Sequence, residues 1–391
     1  VPVIDAVSLT RQLIAFDTVN PPGNEAACAS HLGELLASAG FEVACYEMAP
    51  GRPCLVARHG AQGDGQSLCF VGHTDTVPLG TAPWAHGPFA GEIVDGRLYG
   101  RGASDMKSGV AAFVAAAIQS APTLSPDAGI TLLLVPGEET GCEGSSHLAS
   151  LGLRFNRFRG VVVAEPTANM PLVGHKGALW LRATVKGVAA HGAMPTSGIN
   201  AVRKGAELVH RLDGFCKHCR PHPVLGEATL NIGTFRGGQN VNSVPDWAEI
   251  GIDIRTVPGV DHADMRQRLA ALLAPELDLL SVDISMPHVW TPPEDEWVRS
   301  VFAVVERETG EQVQVDVAPY FTDASALQGM LDGAPTLILG PGAPHMMHQT
   351  DEYCEVARIE QAVRIYRALI QGGADIPMAA VADVADAASQ I

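Results

Sequence analysis

Positive charge, aromatic rings and long apolar runs are all scarce in this chain, and each shortage removes a class of function. Lys and Arg number 26 against 43 Asp and Glu, a net charge of −17, and no basic cluster or basic–aromatic stripe stands out. Nucleic acid and anionic membrane are therefore poor partners. The longest helical apolar stretch, 109–118, falls well short of the roughly 20 residues that span a bilayer. An amphipathic helix pattern runs from Ile4 to Phe16, without the charged-then-apolar plan of a signal segment, which points to a cytoplasmic protein outside any membrane. Cysteine is also thin: eight in 391 residues are too scattered for a disulfide framework and read mostly as small buried apolar residues. Cys216-Lys217-His218-Cys219, with His222 close behind, has ligand-like spacing but lacks the second pair that completes a structural zinc site. No Gly-x-Gly-x-x-Gly or Walker loop follows a strand, which argues against nicotinamide and nucleotide enzymes.

What the chain does have is a series of acids and histidines standing just past apolar runs. Ser67-Leu68-Cys69-Phe70 leads into Val71-Gly72-His73-Thr74-Asp75, and on extended backbone residues two apart point to the same side. An imidazole and a carboxylate leaving one strand end together suit a metal site in which the carboxylate orients the histidine. A buried run over 129–135 ends in Pro136-Gly137-Glu138-Glu139, another over 160–164 in Glu165-Pro166, and a third over 335–339 in a loop holding His345 and His348. This is the pattern of a doubly wound α/β sheet, whose site lies in the crevice at the carboxyl ends of its strands. Asp105 adds a carboxylate from the glycine-rich stretch Gly100 to Gly109, which feeds a helical stretch from Val110 to Gln119. Singly, each acid admits an ordinary role: Asp105 as a helix cap, Glu138 and Glu139 at a helix N-terminus, Glu165 in an exposed turn.

Together they raise a charge problem. If Asp105, Glu139 and Glu165 meet in one pocket, carboxylates that close raise one another's pKa until some protonate. Two divalent cations with a bridging hydroxide bring that pocket to neutrality, which favours a dinuclear centre over a mononuclear one. Such a centre also clamps an attacking water and a polarised carbonyl at once.

In order, His-x-Asp, Gly-Arg-Gly-x-x-Asp-Met-Lys, Glu-Glu, Glu-Pro and a Gly-Pro-Gly loop ending in His-x-x-Asp-Glu resemble the M20 family of dinuclear zinc amidohydrolases and peptidases. Within it the chain is most similar to the acetylornithine deacetylase and succinyl-diaminopimelate desuccinylase branch, and the resemblance runs from about Leu13 to about Ile370. It implies that His73 and Glu165 hold one zinc, that Glu139 and His348 hold the other, and that Asp105 bridges them. It further implies that Asp75 orients His73, that Glu138 is the general base, and that the Asp105-Met106 peptide is cis. The cofactor implied is two Zn2+ per subunit, with Co2+ or Mn2+ acceptable to the same mixed donors. The reaction implied is hydrolysis of the amide of an N-acyl amino acid; the alternative is the peptide bond of a dipeptidase or carboxypeptidase substrate. A metal-free homologue is disfavoured because every expected ligand and the base are present.

Length suits two domains. From Gly177 the pattern changes: 178–185 alternates as a half-exposed strand, 200–212 reads as a helix, 227–235 and 248–255 as strands, 263–273 as a helix and 279–284 as a strand. This β-α-β-β-α-β order is the ferredoxin-like split unit. Since His348 lies beyond it, the unit is inserted: residues 176–287 within a discontinuous catalytic domain of 1–175 and 288–391. The resemblance implies that this lid forms a homodimer and that His191 is an oxyanion donor reaching the partner subunit's active site. It also assigns Arg255 and Asn240 to the substrate carboxylate, which a guanidinium fork suits. The expected substrate is a small N-acyl amino acid or short peptide. The alanine- and aspartate-rich stretch from Gly372 to Ile391 reads as a loosely held tail.

Overall fold

The computed structural model describes residues 4–63 and 67–372; the tail beyond Gly372 lies outside the described residues. Six strands build the central sheet in the order Glu42–Ala49, Arg52–Gly60, Gly129–Val135, Ser67–His73, Gly160–Val163 and Thr336–Ile338. The first two form an antiparallel hairpin, and Arg52–Gly60 also runs antiparallel to Gly129–Val135. From there the strands run parallel, with His73 opposite Val135 and Ile338 opposite Val163. Register thus delivers four carboxyl ends to one edge, where the acids and histidines follow.

These strands read as unbroken apolar runs because both faces are covered. Leu68, Phe70, Leu132, Leu134 and Val162 pack with the helices Ala6–Ile14, Ala26–Ser38, Lys107–Ser120, Glu296–Thr309 and Val356–Ile370. Their neighbours Cys69, Val71, Leu133, Val135, Val161 and Val163 pack the other way, against Leu148 and Leu327. Truncating one such buried leucine to alanine costs about 2–5 kcal/mol. Lys107–Ser120 is almost wholly buried and rich in alanine, so it lies close on the sheet. A Cβ on Gly109 would collide with the carbonyl oxygen of Ala164, and this close approach sets the Asp105 loop beside Glu165. The N-terminal helix is shorter than its sequence pattern: Asp5 accepts from the Val7 and Ser8 N–H groups and starts it at Ala6, while Ile14 ends it.

A second sheet, antiparallel, runs in the order Thr229–Gly237, Trp247–Thr256, Gly177–Lys186, Leu279–Met286. Its helices Ala201–Leu212 and His262–Leu273 are capped by Asn200 and Asp261, whose side chains accept from the Arg203 and Asp264 N–H groups. One face has its own core, with Leu181, Ile250 and Ile252 against Leu208, Met265 and Leu269. The other carries Trp180, Arg182, Asp253 and Arg255, half-buried or exposed. The alternation seen in the sequence is this difference between faces. The chain passes between the two sheets twice, and the two crossings, Gly174–His175 and Val289–Trp290, pair antiparallel. Among the described residues no helix is long and apolar enough to cross a membrane.

Candidate metal centre

His73 ends its strand and is fully buried, as is Asp75. His73 Nδ1 lies 3.0 Å from the backbone carbonyl of Asp75 and 3.4 Å from its carboxylate Oδ1. A carbonyl can only accept, so Nδ1 carries the proton and Nε2 keeps its lone pair for a ligand. That Nε2 lies 3.2 Å from Asp105 Oδ1 and 3.7 Å from Glu165 Oε1. The Asp75 carboxylate has other work. It accepts from Asn20 Nδ2 at 2.9 Å and from the N–H groups of Glu138 and Glu139 at 3.1 and 3.3 Å, tying the Glu-Glu turn to the strand that carries His73.

Asp105 sits between two histidines. While Oδ1 faces His73, Oδ2 is 3.5 Å from His348 Nε2, which is 3.1 Å from Glu139 Oε2. The Asp105-Met106 peptide is cis. Asp105 does not cap the following helix, which begins at Lys107 with no side-chain cap. Its loop is held instead by Glu352, whose carboxylate accepts from the N–H groups of Gly102, Ser104 and Asp105 and from Arg101 at 2.7 Å. His345, near His348 in sequence, pairs with the Tyr353 hydroxyl at 3.3 Å and is exposed.

Burial sets the electrostatics. It pushes the carboxyls of Glu138 and Glu165 well above their usual range, and neighbouring carboxylates push them further; Glu139 is raised by burial and by Asp105. Burial opposes ionisation of Asp105 too, but His348, through its hydrogen bonds, and the imidazole of His73 alongside hold it below its ordinary value. Hydrogen bonds to Asp105 and Glu139 lift His348 to about 10.

The residues fit divalent metal. His73, Asp105 and Glu139, and again His73, Glu138 and Glu165, each bring donor atoms within 4.8 Å of one another. Glu139 Oε1 is buried without a hydrogen-bond partner, an acceptor that a cation would satisfy. Asp105, with one oxygen toward His73 and the other toward His348, is the donor whose placement suits two ions better than one.

The residues of the second sheet and its adjoining loops stand differently. His191 is exposed on the two-residue strand Ala190–His191, paired with Ser243–Val244, and its Nδ1 accepts from the Ala193 N–H. Asn240 is exposed in the adjoining loop, two residues from Asn242, whose carbonyl accepts from the Gly192 N–H. Arg255 is paired with Asp253 on its own strand at 3.0 Å. Sequence reasoning missed Asn20, which joins Asp75 to Thr140. It also missed the Arg101–Glu352 pair and the fully buried Asp323, whose Oδ1 accepts from Ser145 Oγ at 2.6 Å.

A sequence profile of peptidase family M20/M25/M40 matches residues 69–372. The chain belongs to this family. Curated M20 relatives include a succinyl-diaminopimelate desuccinylase of Paracoccus denitrificans, 33% identical over 95% of this chain and 98% of that protein. An acetylornithine deacetylase of Proteus mirabilis is 30% identical over 93% and 96%. Among solved structures, an M20 metallo-carboxypeptidase of Sulfolobus solfataricus superposes with a TM-score of 0.79 at 17% identity, covering 94% of this chain and 99% of that one. A dinuclear metal-binding M20 peptidase of Bacillus subtilis gives 0.68 at 16%, covering 94% and 97%. At such identities the likeness speaks for the fold, which is the M20 fold throughout the described chain.

Proposed function

We propose that the protein is a dizinc hydrolase that cleaves the amide bond of an N-acyl amino acid. The observation that carries this reading is the pair of oxygens of Asp105, one toward His73 and one toward His348, on a chain one third identical to a desuccinylase along nearly its whole length. His73 and Glu165 would hold one ion, Glu139 and His348 the second, with Asp105 between. When bound, the two cations would supply Lewis acidity toward the attacking water and the amide carbonyl. Asp75 fixes the tautomer of His73 through its carbonyl and holds the Glu138-Glu139 turn through its carboxylate. Glu138 takes the proton of the attacking water and delivers it to the leaving nitrogen, a role suited to a carboxyl that burial has made more basic.

Residues 176–287 act as a lid on a catalytic domain made of 1–175 and 288–391, and the lid pairs two subunits. In the closed dimer His191 of one subunit donates to the oxyanion formed in the other, and Arg255 and Asn240 hold the substrate carboxylate. The Arg255–Asp253 pair is no obstacle. Both side chains are 29% exposed, and exposed pairs contribute about 0–1 kcal/mol, so a substrate carboxylate can replace Asp253.

The test is a panel of N-acetyl and N-succinyl amino acids and dipeptides, assayed with added zinc, cobalt or manganese beside metal analysis of the purified protein. Turnover of acylated amino acids above dipeptides is expected. Preference for dipeptides would move the protein to the peptidase branch, and a metal-free protein inactive on every substrate would remove the reading.

A further inference from the structure

Outside the metal centre, Cys216 and Cys219 are the cysteines that one turn brings together. Phe215–His218 is a short 3-10 helix entered through Gly214 at φ 73°, and the Cys219 N–H donates to the Cys216 carbonyl at 2.9 Å. In a 3-10 turn side chains three apart fall on one face, and at ~2 Å rise per residue their Cα atoms are about 6 Å apart. That separation lies within the roughly 4.4–6.8 Å of disulfides. Both residues carry free thiols, Cys216 9% exposed and Cys219 half-buried. Both also line one cavity of about 520 Å³, beside the end of the Ala201–Leu212 helix and the Thr229–Gly237 strand.

The segment that follows reaches the passage between the two sheets. The ring of His222 meets that of Trp290 edge-on at 4.4 Å, and Lys176 Nζ donates to the Glu227 carbonyl at 2.6 Å. Trp290 lies in the returning crossing and Lys176 directly follows the outgoing one. The two thiols therefore stand at the base of the segment that leans on both crossings.

We propose that Cys216 and Cys219 form a reversible dithiol–disulfide site, oxidised by low-molecular-weight disulfides of the glutathione type. Cys219, the more exposed, loses its proton to solvent and attacks one sulfur of the oxidant, forming a mixed disulfide and expelling one thiolate. Cys216, deprotonated in turn, attacks Cys219 Sγ, closes the Cys216–Cys219 bond and expels the second thiolate. Two protein thiols are oxidised, one external disulfide is reduced, and the two protons released convert the expelled thiolates to thiols. The cavity that both cysteines line gives the oxidant its approach. The site is independent of the hydrolytic reading, since neither residue belongs to the metal centre.

Lys217 lies between the two cysteines, so trypsin separates them into peptides 212–217 and 218–236. The full chain is incubated with oxidised glutathione, unreacted thiols are alkylated, and the protein is denatured, digested and weighed by mass spectrometry. The two peptides should appear joined, lighter by two hydrogen atoms than their sum, and should separate after dithiothreitol. Cys219→Ser should abolish the joined species. Backbone hydrogen exchange over 214–227 should slow several-fold in the oxidised wild-type protein. Recovery of both peptides alkylated, or of Cys219 held only as its glutathione mixed disulfide, would overturn the proposal.

Discussion

Around Asp105, two histidines and three glutamates meet within one chain, held by backbone donors and a buried ion pair. In the region of the second sheet, His191 and Asn240 stand exposed on or beside a narrow ribbon, and Arg255 is occupied by Asp253. The difference follows from how each region is built. Parallel strands of fixed register deliver their ends to one edge, so the cluster is assembled by folding alone. His191, Asn240 and Arg255 belong to a region whose sheet has its own core and is joined to the first by two short crossings. On the function proposed above, chemistry is preorganised in one region and recruited in the other.

The largest effect expected is at the preorganised end. Glu138→Ala should lower kcat by about 100-fold to 10,000-fold, the range of general base catalysis, with metal content unchanged. Turnover and metal stoichiometry on one preparation check it; near-normal turnover would remove Glu138 from the role. His191→Ala probes the recruited end, with a loss of about 100-fold to 1,000-fold expected and metal again retained. Mixing sharpens the contrast. If His191 acts across subunits, refolding inactive His191→Ala with inactive Glu138→Ala should restore partial activity, because one site of the heterodimer combines an intact base with an intact partner histidine. Heterodimers no more active than either parent would place His191 outside the reaction in trans.

Arg101→Met tests what preorganisation rests on. It leaves the buried Glu352 carboxylate without its cation, and stranding one member of a buried pair costs about 3–5 kcal/mol. Denaturant unfolding should report that loss, and a change below about 1 kcal/mol would show the pair to be dispensable.

The smallest effect is at the passage between the regions. Burial pushes the imidazole of His175 down to about 4, and the nearby His288 adds slightly, while its Nδ1 donates to the Lys176 carbonyl and its Nε2 meets the Thr322 hydroxyl. Unfolded, the ring titrates near about 6.5. Between these values the unfolded chain binds the extra proton. Stability is therefore full above pH about 6.5 and is lost as pH falls toward the folded value, by about 3 kcal/mol over the window. The difference between the pH–stability curves of wild type and His175→Gln should show this slope; parallel curves would contradict it.

Much of this was legible in the chain because apolar patterning reports burial directly. Runs covered on both faces marked the parallel strands, and alternation marked the sheet with one open face, to within a few residues at each end. His73, Asp105, Glu139, Glu165 and His348 were legible because strand ends and their loops carry them in order. Asn20 was not, since its partner Asp75 is brought to it only by the fold. Glu352 was read as part of a motif, yet its work is to receive N–H groups of a loop some 250 residues earlier, which no local pattern announces. Spacing aimed His73 and Asp75 to one side but could not say that the nearer acceptor of Nδ1 is the Asp75 carbonyl rather than its carboxylate. The same spacing rule places Arg255 and Asp253 on one strand face, and there they pair.

The central claim is that Asp105 joins two metal sites into one centre, and metal binding measured by titration calorimetry on matched variants tests it most directly. Wild type should take up two ions per subunit. His348→Ala should weaken one and leave the ion held by His73 and Glu165, whereas Asp105→Ala should damage both, because a bridging carboxylate serves two ions. Two undiminished sites in Asp105→Ala would contradict the account.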